Sequence, residues 1–207
     1  MSRLIAIHPD NPQPRLIAHV AECLNGGGVV VYPTDSSYAF GCRIGEKDAL
    51  DRIRQIRRLD QNHNFTLVCR DLSEIAVYAK VDNTAYRLLK AFTPGPYTFI
   101  LEATRQVPRR LQHPKRKTIG LRVPDNAIAQ AMLAALGEPI MSSTLALPDE
   151  DLPMTDPHEM SDRLGNQVDI IIDGGYCGFD LTTVVDLTGG VPQVVRVGKG
   201  DANVFHV

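Results

Sequence analysis

The sequence has 207 residues, of which 43% are hydrophobic and 22% are charged, and its formal net charge at pH 7 is −2. A chain of this size and composition can bury enough apolar surface to fold unaided, which excludes a disulfide-stapled miniprotein, a fibre and a disordered tail. No apolar run approaches the roughly 18 residues of a membrane span, and the first residues lack the pattern of a signal peptide. We therefore expect one cytoplasmic domain over residues 1–207, with no membrane partner.

Runs rich in Val and Ile alternate with segments of helical periodicity, which is typical of an α/β domain. Strands are predicted, in chain order, at Leu4 to Ile7, Gly28 to Tyr32, Phe65 to Cys69, Tyr97 to Glu102, Ile119 to Val123, Ile140 to Ser143, Val168 to Ile172, Thr183 to Leu187 and Gln193 to Val197. Gly189 and Gly190 separate the last two strands and favour a hairpin between them. The predicted sheet is therefore mixed rather than purely parallel.

Three helices are predicted from apolar residues that recur at helical spacing. The apolar face of the first helix is formed by Leu16, Ile17, Val20, Ala21 and Leu24, and Asn25 and Gly26 are expected to end it. The apolar face of the second is formed by Ala49, Leu50, Ile53 and Ile56. The third, with Asp125 as its predicted cap, has its apolar face at Ile128, Met132, Ala135 and Leu136. A loop and a short helix are expected in the acidic segment from Leu147 to Asp162, which could cover a cleft.

The small net charge hides a local imbalance. One basic cluster lies on or just after the second predicted helix, at Arg52, Arg54, Arg57 and Arg58. A second follows in a stretch without acidic residues, at Arg105, Arg109, Arg110, Lys115, Arg116, Lys117 and Arg122. If both clusters share one side of the sheet, they create a positive field that attracts phosphate. The alternative is that each is an ordinary solvated surface.

Side-chain hydroxyl groups follow or begin several predicted strands, where ligand sites of α/β proteins usually form. Thr34 follows the second strand, Ser142 and Thr144 lie at the end of another, and Thr182 precedes the strand at Thr183. For the first of these segments the alternative is a turn, in which Thr34 and Asp35 bind local backbone amides.

Two arginines, Arg122 and Arg196, interrupt apolar strands and need an anionic partner, either a protein carboxylate or a ligand. Arg57 and Arg58, at the end of a helix, are suited to phosphate or carboxylate oxygens. Their alternative role is to compensate the helix dipole. Hydroxyl groups and strand-borne arginines in one domain together favour an anion-binding site.

The cysteines and histidines show no spacing typical of a metal site, so no structural metal is expected. The four cysteines are scattered, at Cys23, Cys42, Cys69 and Cys177, and are interpreted as reduced thiols. The glycine-rich sequences that usually bind phosphate are absent from the chain.

Six motifs in fixed order resemble the YrdC/YciO family, most closely its YciO branch. They are Tyr32-Pro-Thr-Asp-Ser-Ser-Tyr, Pro94-Gly-Pro-Tyr-Thr, Gly120-Leu-Arg-Val-Pro, Pro139-Ile-Met-Ser-Ser-Thr, Thr182-Thr-Val-Val-Asp and Arg196. The resemblance implies a twisted, open mixed sheet with flanking helices and a concave basic face. Better-understood YrdC members are L-threonylcarbamoyl-adenylate synthases, which combine threonine, bicarbonate and ATP on the way to a modified adenosine in tRNA.

The resemblance also implies roles for particular residues. The catalytic residues would be Thr34, Arg57 and Arg58. Both arginines are named because the alignment of this segment with the family's Lys-x-Arg pair can shift by one residue. Thr34 and Arg122 would contact the amino-acid substrate. The nucleotide-binding residues would be Arg122, Ser142, Thr144, Thr182 and Arg196. ATP is then a substrate, accompanied by Mg²⁺.

Two positions depart from the synthase pattern: Leu59 replaces the arginine of a Lys-x-Arg pair, and Ala146 replaces the asparagine of a Ser-x-Asn motif. Losing a hydrogen bond to a charged group typically costs about 1.5–3 kcal/mol, so slow turnover is expected. The alternative function is non-catalytic binding of duplex RNA or tRNA by the basic concave face. The RNA contacts would then be Arg109, Arg110, Lys115, Arg116 and Lys117.

Overall fold

The computed structural model describes residues 3–60 and 63–205; the other six residues of the predicted domain, at 1, 2, 61, 62, 206 and 207, lie outside the described residues. The strands are β1 (Arg3–Ala6), β2 (Val30–Tyr32), β3 (Ala39–Arg43), β4 (Thr66–Val68), β5 (Tyr97–Glu102), β6 (Thr118–Arg122), β7 (Ile140–Thr144), β8 (Ile170–Asp173), β9 (Thr183–Asp186) and β10 (Gln193–Arg196). The helices are α1 (Pro14–Asn25), α2 (Lys47–Arg57), α3 (Leu72–Tyr78), α4 (Asn83–Phe92), α5 (Ala127–Leu136) and α6 (Pro157–Leu164). Short 3₁₀ turns lie at Arg109–Leu111 and Asn203–Phe205.

The ten strands form one sheet in the order β1-β8-β2-β3-β7-β4-β6-β5-β9-β10. Neighbours are parallel at β1–β8, β8–β2, β4–β6 and β5–β9, and antiparallel elsewhere. The chain is therefore a single α/β domain with a mixed sheet and flanking helices, and the predicted closing hairpin is confirmed as β9–β10.

One face of the sheet packs against four helices. Val31 of β2 points to this side and belongs to a large apolar cluster together with side chains of α2, α3, α4 and α6. The helices contribute Ile53, Ile75, Leu89 and Met160, each of which is fully buried. The burial of these regularly spaced apolar residues stabilises the four helices on this face.

The opposite face is covered over only part of its width. Val30 and Tyr32 point to this side and pack with apolar residues of α1 and α5. The apolar contacts reach Val68 of β4, whose register partners are Ile140 on one side and Arg122 on the other. Because register partners point to the same face of a sheet, the row of side chains changes from apolar to charged between β4 and β6. Beyond that point α1 and α5 leave the sheet uncovered.

The predicted cap of the third helix is wrong. Asn126, not Asp125, caps α5, because the Asn126 side chain accepts a hydrogen bond from the Ala129 backbone N–H at 3.0 Å. The backbone N–H of Asp125 instead donates to the Asp35 carboxylate at 3.0 Å. Both residue types are good caps, so the sequence alone does not decide between neighbours.

Three elements were not predicted from the sequence: β3, α3 and α4. The segment from Tyr32 to Gly41, for which the sequence left a ligand site and a turn as alternatives, ends within β3, which pairs with β2 and β7. The helices α3 and α4 begin at Asp71 and Asp82, which accept hydrogen bonds from Glu74 N–H and Ala85 N–H. An aspartate in the N-cap position was the feature of the sequence that could have predicted the start of both helices.

Candidate functional site

The uncovered part of the sheet forms the floor of a cavity of about 880 Å³. Its floor is rich in hydroxyl groups, contributed by Thr66, Thr98, Thr118, Ser142 and Thr144 of adjacent strands and by Thr182 just before β9. Ser143 also lines the cavity, but its side chain belongs to the other face of β7. Gly120 lies at the centre of this floor, where a Cβ atom would be 3.3 Å from the Thr98 methyl group. One wall is formed by Asp151, Leu152 and Pro153 of the acidic segment. The site is therefore an open, polar depression in one half of the sheet.

Arg122 lies on β6 in this cavity, and its partner is a protein carboxylate. Its Nη2 binds the Asp35 carboxylate, its Nη1 donates to Ser36 Oγ at 3.3 Å, and both members of the ion pair have side chains only 9% exposed. The buried Nε has no hydrogen-bond partner among the described residues. The guanidinium is thus fixed and its charge is compensated by Asp35, while its Nε is enclosed by protein without a partner.

Arg196 lies on the edge strand β10 and points into the same cavity. Its Nε and Nη2 donate to the backbone oxygen of Thr182 at 3.1 and 2.9 Å, and Nη2 also contacts Thr182 Oγ1 at 3.1 Å. Thr182 Oγ1 in turn shares a hydrogen bond with Thr98 Oγ1 at 2.9 Å. Partial burial, and then the nearby charge of Arg122, lower the pKa of Arg196. Within the described part of the chain, Arg196 has no carboxylate partner.

Arg57 reaches the cavity from the last residue of α2. Its Nε donates to the backbone oxygen of Ala146 at 3.1 Å, and its Nη1 donates to Ser143 Oγ. Burial lowers the pKa of this half-buried arginine, and residues 3–60 and 63–205 provide no carboxylate for it. Its position at a helix end agrees with dipole compensation, but its side chain also crosses to the end of β7.

Arg58 lies outside the cavity. Its backbone has φ of 50° and ends α2, and its side chain, which is 74% exposed, pairs with Asp149 at 3.2 Å. The two positions that depart from the synthase pattern lie in different surroundings. Leu59 packs against the apolar cluster on the far side of the sheet, whereas Ala146 lines the cavity and holds Arg57 through its carbonyl.

The remaining predicted hydroxyl groups are not equivalent. Ser142, Thr144 and Thr182 line the cavity, although Ser142 Oγ also binds Tyr32 Oη at 2.7 Å. Thr34 does not line it. The Thr34 Oγ1 donates to Ser37 O at 2.7 Å and accepts from the backbone N–H groups of Ser36 and Ser37. The Thr34 hydroxyl group therefore stabilises a local turn, which is the alternative that the sequence offered for this segment. This turn carries Asp35.

The two basic clusters share the cavity only in part. Of the second cluster, Arg116 and Arg122 line it, and Arg116 is paired with Asp186. In the first cluster, Arg52 pairs with Asp169, and Arg54 pairs with Asp51 at 3.0 Å.

The other predicted RNA-binding residues lie in the segment between β5 and β6, beside the cavity. Arg110 donates to the Gly45 carbonyl, and the Lys117 Nζ donates to the Pro114 carbonyl at 2.8 Å. Arg109 and Lys115 are exposed, and the described residues offer their side chains no acidic partner.

Several residues of the site were missed by sequence reasoning. Thr66 lies in a predicted strand and Thr118 directly before one, but only the register, which pairs Thr66 with both Ser142 and Gly120, brings them to one floor. His63, which lines the cavity next to the strand β4, was also missed. Asp35 was noted as a turn residue, and its pairing with Arg122 spans 87 positions of sequence.

The described residues contain no group of three or more His, Cys, Asp or Glu side chains that could hold a metal ion. None of the helices in the described ranges is long and apolar enough to span a membrane.

Comparisons with known proteins agree with this architecture. The Sua5/YciO/YrdC family model, described as telomere recombination, matches residues 22–198. The uncharacterized protein YciO of Escherichia coli K12 is 58% identical over 99% of this chain and 100% of its own length, and the crystal structure of E. coli YciO superimposes with a TM-score of 0.95.

More distant relatives carry a functional name. A threonylcarbamoyl-AMP synthase of Halorhodospira halophila is 28% identical over 86% of this chain and 92% of its own length. The structure of P. abyssi Sua5 complexed with L-threonine has a TM-score of 0.87 at 25% identity, covering 95% of this chain and 58% of that one. On the extent of the family match and the full-length similarity to YciO, the chain belongs to the Sua5/YciO/YrdC family.

Proposed function

We propose that this protein is an ATP-dependent synthase of the L-threonylcarbamoyl-adenylate type, which takes threonine, bicarbonate and ATP as substrates. The observation that carries the proposal is the set of three arginines in one cavity. Arg57 and Arg196 have no carboxylate partner among the described residues, and Arg122, which is paired with Asp35, lines the same cavity. The related synthases and the threonine-bound Sua5 support this substrate class.

The electrostatics of the cavity favour a polyanionic ligand. A partly buried guanidinium without a counter-ion is costly, and the mutual repulsion of Arg122 and Arg196 adds to this cost. Arginine forks match phosphate oxygens in geometry and charge, so a triphosphate would relieve both effects. We assign nucleotide binding to Arg122, Ser142, Thr144, Thr182 and Arg196.

The proposed reaction needs alignment and charge neutralisation more than covalent chemistry by the protein. The amine of threonine and bicarbonate form a carbamate, whose oxygen attacks the α-phosphorus of ATP and expels pyrophosphate. Arg57, the catalytic cation in this proposal, would neutralise charge on the transferring group, and the turn shaped by Thr34 would present Asp35 and Arg122 to the amino acid. Arg58, paired with Asp149 outside the cavity, would contribute only after this pair opens.

Magnesium is the metal that this reaction would use. Mg²⁺ is commonly bound by one or two carboxylates together with substrate phosphates, rather than by a protein-only cage. Asp151 and Asp180 are the carboxylates in the cavity lining that fit such a role. Bound there, the ion would neutralise charge on the triphosphate.

The proposal is tested by turnover of radiolabelled ATP. We expect pyrophosphate release and a labelled adenylate product only when threonine and bicarbonate are both present. The rate is expected to be slow, because Leu59 and Ala146 lack the polar groups of the synthase pattern. ATP hydrolysis that ignores threonine, or no turnover at all, would contradict the proposal.

A second candidate function is binding of tRNA or another duplex RNA without catalysis. The exposed cations Arg109 and Lys115, which no acidic side chain of the described residues neutralises, favour it. The contacts would be Arg109, Arg110, Lys115, Arg116 and Lys117.

The RNA candidate has its own test. Affinity for a duplex RNA should fall steeply with salt, and Arg109→Glu with Lys115→Glu should reduce both the affinity and the slope of that dependence. ATP turnover would be unaffected by these two changes. Absence of RNA binding at low salt would remove this candidate.

A further inference from the structure

Gly120 is a residue of the cavity floor to which the proposed function assigns no role. Among the described strands, glycine occurs at two positions, Gly41 in β3 and Gly120 in β6. Glycine inside a strand loses more conformational entropy on folding than other residues and packs no side chain, so each position needs a reason. Neither of the two has the positive φ that would require glycine.

Crowding in the core explains Gly41. A Cβ atom there would lie 3.0 Å from Tyr32 Cε1 and 3.1 Å from Ile140 Cδ1. Both of these side chains are fully buried and belong to the apolar cluster that packs against α1 and α5. A side chain at position 41 would therefore displace core atoms, and glycine is retained for packing.

Crowding explains much less at Gly120. A Cβ atom there would be 3.3 Å from Thr98 Cγ2 and 3.5 Å from Thr66 Oγ1, and no other atom of the described residues lies within 4 Å, apart from its sequence neighbours. Gly120 is half-buried, whereas the other four residues of β6 are buried. The space above its Cα is thus open to the cavity, and the protein does not fill it.

Gly120 lies between two arginines for which the described ranges provide no carboxylate partner. Arg57 is held at the end of β7 and Arg196 lies on β10, and in the order of the sheet β6 is two strands from β7 and three from β10. A polyanion that contacts both arginines must therefore cross the floor at β6. Hydroxyl groups flank the glycine there, because Thr66 is its register partner on β4 and Thr118 shares its face of β6.

We propose that the phosphate chain of the nucleotide lies against the bare backbone of β6 at Gly120, an inference that rests on the proposed nucleotide site. The N–H and C=O groups of a strand between two paired neighbours belong to the sheet, so the glycine contributes space rather than a hydrogen bond. A phosphate oxygen can then reach the floor and accept hydrogen bonds from the Thr66 and Thr118 hydroxyl groups. A side chain at position 120 would hold the chain away from both, so this position determines which ligands fit.

The test measures the binding of ATP, inorganic tripolyphosphate and adenosine to wild type and to Gly120→Ala by isothermal titration calorimetry at low salt. We expect Gly120→Ala to weaken the binding of ATP and of tripolyphosphate by about 10-fold to 100-fold, since overpacking of a close contact has an effect of this size. Adenosine, which lacks the phosphate chain, should be bound equally by both proteins. The melting temperature should change little, because the better strand propensity of alanine offsets the tighter contact with Thr98.

A Thr98→Ser background separates ligand contact from packing. Serine removes the methyl group that a Cβ at position 120 would approach, and it keeps the hydroxyl group that binds Thr182 Oγ1. The loss of affinity caused by Gly120→Ala should be the same in this background, with each variant compared to its own parent. The matched control is Gly189→Ala, in the turn between β9 and β10, where a Cβ would meet no atom of the described chain within 4 Å.

Unchanged affinity of Gly120→Ala for tripolyphosphate would overturn the inference. A loss that disappears in the Thr98→Ser background, or failure of Gly120→Ala to fold in both backgrounds, would overturn it as well, because the protein itself would then need the glycine. An equal loss for adenosine would place the nucleoside, and not the phosphates, at Gly120. If wild type binds neither ATP nor tripolyphosphate, the proposed nucleotide site fails together with this inference, whereas binding by wild type confines the fault to Gly120.

Discussion

At the scale of single residues, the arginines of the cavity differ in what holds them. Arg122 is tied to Asp35, whereas Arg57 and Arg196 bind only hydroxyl and carbonyl oxygens. Oxygen dipoles orient a guanidinium without cancelling its charge, so these two side chains are already arranged for an anion. The site thus combines one neutralised, fixed arginine with two positively charged ones.

Replacing Arg196 with Ala should weaken ATP binding at low salt, and Arg57→Ala should do the same. The loss of a charged hydrogen bond predicts a decrease of about 10-fold to 150-fold in affinity for each, measured by isothermal titration calorimetry. Arg87→Ala, an exposed change on α4, is the matched control and should bind as wild type does. Wild-type affinity in both cavity variants would remove these arginines from the nucleotide site.

The buried pair of Arg122 and Asp35 should matter for stability as well as for binding. Asp35→Asn leaves the Arg122 charge buried and unpaired, and we expect a loss of about 3–5 kcal/mol in the free energy of unfolding. Asp149→Asn breaks the exposed pair with Arg58 and should cost at most about 1 kcal/mol. Urea denaturation measures both values, and equal losses would show that burial of the first pair is not decisive.

Residues that carry charge or hydroxyl groups inside apolar strands were predictable from the sequence. Arg122 and Arg196 were identified because a cation is costly on a buried strand unless it has a function or a partner. Asp35 as the partner of Arg122, and Thr66 beside Ser142, were not predictable. Both depend on contacts between distant segments, and single-sequence patterns carry no information on which strands become neighbours.

At the scale of elements, apolar periodicity identified the buried strands and the helices α1, α2 and α5. It missed β3, whose residues are buried on both faces and include Gly41, and it missed α3 and α4. Both helices begin at an aspartate that caps them, Asp71 for α3 and Asp82 for α4, and these caps were a signal that the apolar pattern alone did not use. The testable predictions for single elements therefore concern the residues that cap the helices.

The first of these predictions concerns the residue that caps the start of α5. Asn126→Ala removes the side-chain oxygen that binds Ala129 N–H and should reduce the free energy of unfolding by about 1 kcal/mol. Asp125→Ala should have little effect, because only the backbone of Asp125 binds Asp35. Thermal denaturation of the two variants distinguishes them, and the opposite order would place the cap at Asp125.

The second prediction concerns Asp71, the residue that caps the start of α3. The hydrogen bond from Glu74 N–H lowers the pKa of Asp71 below its usual 3.8. A carboxylate with a lowered pKa stabilises the folded state above its unfolded pKa, and this contribution is lost as pH falls through the folded value. Asp71→Ala should therefore destabilise the protein near neutral pH and flatten the dependence of its stability on pH below about 4. An unchanged acid dependence would contradict this assignment.

At the scale of the whole molecule, the function follows from an unequal distribution of helices. Four helices cover one face of the sheet, and α1 with α5 covers only part of the other. A sheet face without helices must be polar to remain in water, and here it bears hydroxyl groups and arginines. The same ten-stranded framework therefore provides both a continuous apolar core and an open site for an anionic ligand.

The central claim is that this open half of the sheet binds a nucleotide triphosphate, and a crystal structure with a non-hydrolysable ATP analogue and threonine tests it most directly. We predict phosphate oxygens within hydrogen-bond distance of the guanidinium groups of Arg57, Arg122 and Arg196, and threonine beside the turn at Asp35. A nucleotide bound elsewhere on the molecule, with these three arginines keeping only their present contacts, would contradict the account.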